Sequence, residues 1–177
     1  MKINTAIVTG LSLLACSYAW AAAPRLTTSK TIDIDASAAK VWHAVKDFNG
    51  LNTWHPAVAT DEIVEGANNT VGAVRLLTLK GGGTIKEKLL KFDAPGRSFK
   101  YAILEGVLPV SDYTSTLVVK SLGKGKGKCS VTWSGRFKRK NVGDNPADNE
   151  NDKTAVDAIS GVYQGGLDNL KKMVEGQ

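Results

Sequence analysis

Between residues 58 and 138 the chain is a succession of strand-length segments separated by stretches too short to hold a helix, and this limits the fold more than any single motif does. The segments are 58–64, 71–79, 84–92, 98–107, 113–122 and 129–138. Turn-forming residues punctuate them: Gly66-Ala67-Asn68-Asn69, Gly81-Gly82-Gly83, Asp93-Ala94-Pro95-Gly96, Leu108-Pro109 and Gly123-Lys124-Gly125-Lys126-Gly127. Parallel neighbours need a crossover of roughly a dozen residues. Connections this short therefore impose an antiparallel meander and exclude a doubly wound parallel sheet.

Helical patterns flank the meander. Residues 29–35 alternate, with Ile32 and Ile34 on one face and Thr31, Asp33 and Asp35 on the other, which predicts a half-buried strand. Ser37 then caps a short helix carrying Val41, Ala44, Val45 and Phe48 at helical spacing, and a second short helix or turn spans 51–56. At the other end a polar stretch, 141–151, leads to Asp152 as a cap and a helix running to about Val174 before Gly176. Its buried stripe reads Ala155, Ile159, Val162, Tyr163, Leu167, Leu170, Met173 and Val174. About 20 residues at 1.5 Å each give about 30 Å, enough to cross a whole sheet. The expected architecture is α+β: a curved seven-stranded antiparallel sheet wrapped around one long C-terminal helix, with two short helices after the first strand. Wherever the sheet curves more than its side chains fill, a cavity remains under the helix.

The N-terminus carries a different signal. Lys2 is followed by an apolar run from Ile7 to Ala15 and by small residues ending Ala19-Trp20-Ala21, the pattern of a secretory signal peptide cut after Ala21. The domain organisation is then a leader at 1–21 and a single domain at 22–177, with a periplasmic or secreted destination. The apolar run is shorter than the roughly 20 residues that span a bilayer, and no transmembrane segment follows in the mature chain. Leu13-Leu14-Ala15-Cys16 also resembles a lipoprotein cleavage box, which leaves an anchor at Cys16 as the alternative. Export would leave Cys129 as the sole thiol, and no role is assigned to it.

Two cysteines and two histidines among 177 residues exclude a disulfide-stapled mini-domain, a zinc finger and a multi-histidine metal centre. No metal or cofactor is expected. The net charge of +6 leaves an acidic partner open, and an exported chain makes nucleic acid a poor candidate. The main basic concentration is Lys124, Lys126 and Lys128 with Arg136, Lys138, Arg139 and Lys140. Lys138, Arg139 and Lys140 are candidate contacts for an acidic periplasmic redox protein, unless the acids Asp144, Asp148, Glu150 and Asp152 neutralise them within the molecule.

Glu87 is the most informative polar residue. A three-residue turn at Gly81–Gly83 would set Leu77 opposite Glu87 and place Arg75, Leu77, Leu79, Ile85, Glu87 and Leu89 on one mostly apolar, inward face. A carboxylate there is paired, solvated or raised in pKa, and Arg75, diagonal to it, is the available partner. Glu87 is either half of a structural ion pair or a ligand-contacting or catalytic carboxylate. Gly161, Gly165 and Gly166 each cost about 1 kcal/mol in a helix interior. Gly166 either lets the helix approach the sheet closely or leaves room for a ligand.

Element order and local segments together resemble the START-like superfamily, also called SRPBCC or polyketide cyclase/dehydrase and lipid transport, whose fold is the helix-grip. The segments are Val41-Trp42, Asp47-Phe48-Asn49-Gly50-Leu51, Trp54-His55-Pro56, Val71-Gly72-Ala73-Val74-Arg75, Lys86-Glu87-Lys88-Leu89, Leu108-Pro109-Val110-Ser111-Asp112-Tyr113 and Gly166-Leu167-Asp168-Asn169-Leu170-Lys171. With Trp133-Ser134-Gly135-Arg136-Phe137, the chain looks most similar to the MxaD-like branch, periplasmic proteins associated with methanol oxidation. The resemblance implies that Trp54 and His55 stand at a cavity rim and that Tyr101, Ile103, Tyr113, Ser115 and Trp133 face the pocket. Leu79 on the sheet and Val162 and Gly166 on the helix complete the candidate ligand-binding set with Arg75 and Glu87. His55 could bond a ligand or simply cap and pack against a tryptophan; His43 is expected at the surface.

The nucleophile, zincin, dithiol and phosphate-loop motifs G-x-S-x-G, H-E-x-x-H, C-x-x-C and G-x-x-x-x-G-K-[ST] are absent. The reading is an exported, non-enzymatic protein that binds a small hydrophobic or amphipathic molecule in the cavity, or assists a periplasmic redox system such as methanol oxidation. The competing reading is a cyclase- or dehydratase-type enzyme using Glu87 in the same cavity.

Overall fold

The structure, a computed structural model, describes residues 24–123 and 127–176. The expected leader, Cys16, Lys124 and Lys126 lie outside the described residues.

Strand β1 (Leu26–Ile34) is followed by helix α1 (Ala38–Val45) and a 3₁₀ turn at Leu51–Thr53. The meander comes next: β2 (Val58–Glu65), β3 (Val74–Leu79), β4 (Thr84–Asp93), β5 (Ser98–Gly106), β6 (Val110–Ser121) and β7 (Cys129–Arg139). A 3₁₀ turn at Asp148–Glu150 precedes the terminal helix α2 (Asp152–Glu175). All pairings are antiparallel and the sheet order is β1-β7-β6-β5-β4-β3-β2. The α1 segment thus carries the chain from one sheet edge to the other, and the meander walks back until β7 lies beside β1.

Local chemistry accounts for the boundaries. The Ser37 side chain accepts from Lys40 N–H at the start of α1, and Asn151, rather than Asp152, caps α2 by accepting from Thr154 N–H. Gly176, at φ 76°, closes α2 in the left-handed conformation that glycine adopts freely. The expected stripe of α2 is buried at Ala155, Ile159, Tyr163, Leu167, Leu170 and Val174, whereas Met173 is exposed and Val162 is half-buried. At about 36 Å, α2 crosses the concave face against β1 and β7. No helix among the described residues is long and apolar enough to cross a membrane.

Three expectations about strands are corrected. Val71 lies in the exposed turn before β3, and β6 starts three residues earlier than its alternation suggests. In the β3–β4 hairpin Thr78 pairs with Thr84, so the connection is five residues long and Arg75 stands directly opposite Glu87 rather than diagonal to it. The shift is two residues, so the inward and outward faces keep the expected assignment.

Candidate functional site

Between the concave sheet and α2 lies a cavity of about 60 Å³, lined by Leu51, His55, Ala57, Val58, Leu77, Leu79, Ile85, Glu87, Tyr101, Leu108, Tyr113, Trp133 and Val162. Its surface is apolar except where His55, Glu87 and the aromatic edges reach it. Pockets that hold drug-sized molecules run to roughly 300–1,000 Å³. In this conformation the cavity takes water or a small fragment, and a larger guest enters only if the lining moves.

Behind the lining is a buried charge cluster. Arg75 Nε donates to Glu87 Oε2 at 2.8 Å with Nη2 in ion-pair contact with the same oxygen at 2.6 Å, while Nη1 donates to the Phe48 carbonyl at 2.6 Å and to Asp61 Oδ2 at 3.3 Å. The guanidinium lies over the Phe48 ring, 4.2 Å from its centroid. Asp61 Oδ2 also accepts from Leu51 N–H at 2.9 Å, and its Oδ1 has no hydrogen-bond partner among the described residues. Burial pushes the Glu87 and Asp61 carboxyls up against the opposing pull of Arg75. Burial opposes the Arg75 charge, and the two carboxylates outweigh it and raise its pKa. The cluster therefore joins the cavity wall on β3 and β4 to the 48–51 segment that leads to Trp54 and His55.

Sequence reasoning missed Asp61. Strict alternation from Val58 sends Thr60 inward and Asp61 out, but the register shifts between Val58 and Thr60, and the bulge turns Asp61 inward opposite Leu77. The pairing pattern of a single sequence carries no signal for that bulge.

His55, 4% exposed, bridges two elements. Its Nδ1 accepts from Ala57 N–H at 3.2 Å, so the hydrogen sits on Nε2, which donates to the Val162 carbonyl at 3.0 Å. Burial holds its pKa below the ordinary histidine value, with the Val162 carbonyl pulling the other way and the Arg75 charge adding to the depression. The ring meets Trp133 edge-on at 6.0 Å, and Trp54 packs against Trp133 at 5.5 Å. A Cβ placed on Gly166 would lie 2.6 Å from His55 Cδ2 and 2.9 Å from Trp133 Cζ3. Gly166 thus allows close approach of α2 to the imidazole and indole, rather than opening space.

A chain of buried hydroxyls runs from Tyr113 on the far wall to Tyr163 and Ser115 behind it. Ser115 Oγ donates to the Ser134 carbonyl at 2.9 Å, so Tyr163 O–H donates to Ser115 Oγ at 2.9 Å and Tyr113 O–H donates to Tyr163 Oη at 2.6 Å. Trp133 Nε1 donates to Tyr101 Oη at 3.0 Å, leaving the Tyr101 hydrogen free to turn toward Tyr113 or toward a guest. Burial pushes Tyr101 and Tyr113 well above 10 and Tyr163 up to about 12. Tyr163 was legible only as a core residue of α2. Its hydroxyl role follows from Gly135, where any Cβ would collide with it.

Of the candidates from the sequence, His55, Leu79, Glu87, Tyr101, Tyr113, Trp133 and Val162 converge on the cavity. Trp54, Arg75, Ser115 and Gly166 are packed behind it, and Ile103 lines a groove outside it. His43 is exposed as expected. The residues of the candidate docking patch all have partners within the molecule. Arg139 is 9% exposed, paired with Asp152 at 2.7 Å and donating to the carbonyls of Asn141 and Gly143. Lys138 pairs with Asp112 at 2.7 Å, and Lys140 Nζ donates to the Gly106 carbonyl at 3.0 Å. Arg139 ties the 141–152 segment in place, as the acidic alternative anticipated for Asp152, and Lys140 bonds the last residue of β5.

Residues 25–175 match the family model described as polyketide cyclase / dehydrase and lipid transport. Among solved structures, the chain is similar to the Bacillus cereus protein XoxI, with 31% identity over 84% of this chain and 95% of that one and a TM-score of 0.73. A Streptomyces aromatase/cyclase superposes with a TM-score of 0.72 at 16% identity, covering 86% of this chain and 94% of the other. A START superfamily protein from Mycobacterium smegmatis superposes with a TM-score of 0.67 at 15% identity, covering 85% and 97%. The last two likenesses concern the fold alone.

Proposed function

This chain belongs to the polyketide cyclase/dehydrase and lipid-transport family, and from that premise we propose that it is a non-enzymatic binding protein whose cavity under α2 takes a small hydrophobic or amphipathic molecule. The observation that carries this reading is the cavity itself. Leu77, Leu79, Ile85, Leu108 and Val162 give it apolar walls, and Tyr101 offers a hydroxyl hydrogen at one side. Against acid–base chemistry, the accepting oxygen of Glu87 is held twice by Arg75, and the tyrosine hydroxyls titrate far above neutrality. Action outside the cytoplasm, beside a redox system such as methanol oxidation, belongs to the same proposal and is supported by the N-terminal export pattern and the sequence resemblance.

Titration with parinaric acid, a linear fatty acid whose fluorescence rises in apolar surroundings, tests the reading. The expected result is saturable enhancement with the natural chain and its loss in Leu79→Trp, where the indole occupies the cavity. Enhancement unchanged by Leu79→Trp would place the probe elsewhere and overturn the assignment.

A further inference from the structure

β5 and β6 are hydrogen-bonded neighbours only from Ser98–Ala102 against Thr114–Val118. Beyond Ala102, β5 continues to Gly106 paired to β4, and β6 begins at Val110 and Ser111 paired to β7, yet the two strands do not pair with each other there. Asp112, at φ 48°, and a register shift between Ser111 and Thr114 mark where β6 bends away. The sheet is therefore split at this point, although Val107, Leu108 and Pro109 are all the chain that joins the two strands.

The split is occupied by an outer groove of about 610 Å³, within the range of small-molecule sites. Ile103, Leu104, Leu108 and Val110 give it apolar walls, and Ser111 and Lys140 stand at its polar margin. The Ser111 hydroxyl donates to the Arg139 carbonyl at 2.9 Å and can still accept, and the Lys140 ammonium, bonded to the Gly106 carbonyl at 3.0 Å, keeps two N–H donors. Glu105 and Asp112 share that margin, with Asp112 already paired to Lys138. Leu104 is 52% exposed and Val107, on the connecting turn, 54%. These two side chains extend the apolar surface of the groove to its outer edge. Leu108 and Tyr113 line both this groove and the inner cavity. Tyr113 is buried and fixed by its bond to Tyr163, whereas Leu108 is half-buried on a three-residue turn. Leu108, the less buried of the two shared residues, is thus the side chain whose displacement would join the two spaces.

We propose that this groove is the outer half of the binding site and the way into the cavity. Its occupant is a single-chain amphiphile: the apolar chain passes Leu108 into the space under α2, and the hydrogen-bonding head stays at Ser111 and Lys140. This inference rests on the cavity-binding reading above, and it explains how a cavity of about 60 Å³ belongs to a site able to hold a longer molecule.

Stopped-flow uptake of parinaric acid by the mature chain separates the two. Leu108→Ala removes the gate and should raise the association rate about tenfold, and Leu104→Glu at the lip should lower it several-fold. Val71→Glu, at an exposed apolar residue that lines neither space, should leave the rate unchanged. Circular dichroism and melting confirm that each variant is folded. If the natural chain takes up the probe but neither Leu108→Ala nor Leu104→Glu changes the rate, the groove is not the route, while cavity binding stands. If no variant, Leu108→Ala included, shows saturable uptake, both readings fall.

Discussion

The Nε2 of His55 donates to the Val162 carbonyl at 3.0 Å, one helical turn before Gly166, whose missing side chain lets the imidazole reach it. The bond fastens the cavity rim to α2. Gly166→Ala forces a methyl against His55 and Trp133, and overpacking of this kind costs about 1–3 kcal/mol. Gly161 and Gly165, on the same helix, have nothing within 4 Å of an added Cβ. Gly161→Ala should instead stabilise by up to about 1 kcal/mol through helix propensity. Paired thermal melts of the two variants check the contrast in sign.

His55 also predicts a pH dependence. Its folded-state pKa is lowered by burial, so the unfolded chain binds the extra proton first as pH falls. The stability it contributes is fully present above about 6.5 and declines as pH drops below that value. Protonation would also put a hydrogen on Nδ1 against the Ala57 N–H. Melts at pH 7.5 and 5.5 should show a loss for the natural chain that is reduced in His55→Gln. An equal loss in the variant would assign the effect to other groups.

Arg75 serves two buried carboxylates at once, so its removal should cost more than the removal of either acid. Stripping the partner from buried charges costs about 3–5 kcal/mol, and Arg75→Leu should fall at the upper end of that range. Adding Asp61→Asn and Glu87→Gln in the Arg75→Leu background removes the uncompensated charges and should restore part of the loss. Denaturant unfolding of the single and triple variants measures the recovery.

The fold and about half of the candidate site are legible in the sequence. The short glycine-rich turns dictate the antiparallel meander, and the three- and four-residue spacing in 155–174 dictates the long helix. Once the inward face of the β3–β4 hairpin is identified, Leu79 and Glu87 follow, because a two-residue register error leaves side-chain parity intact. Asp61 stayed hidden because a single bulge inverts the parity of β2, and Tyr163 because a helical stripe does not say where a hydroxyl points. The Lys138–Lys140 run reads in the sequence as either a docking surface or a patch neutralised within the molecule, because sequence proximity does not reveal that Asp152, Asn141, Gly143 and Gly106 fold back onto it.

The groove and the cavity predict distinct responses to filling. Leu79→Trp, which fills the inner space, should abolish equilibrium parinaric acid binding. Leu104→Glu, at the outer lip, should slow uptake more than it weakens the final affinity, a difference read by comparing stopped-flow traces with equilibrium titration.

The most direct test of the account is native mass spectrometry of the chain purified from its own cells, beside the Leu79→Trp variant prepared identically. The account predicts a mass excess on the natural chain that disappears on denaturation and is absent from Leu79→Trp. A bare polypeptide mass for the natural chain, or the same excess on both proteins, would contradict a guest held under α2.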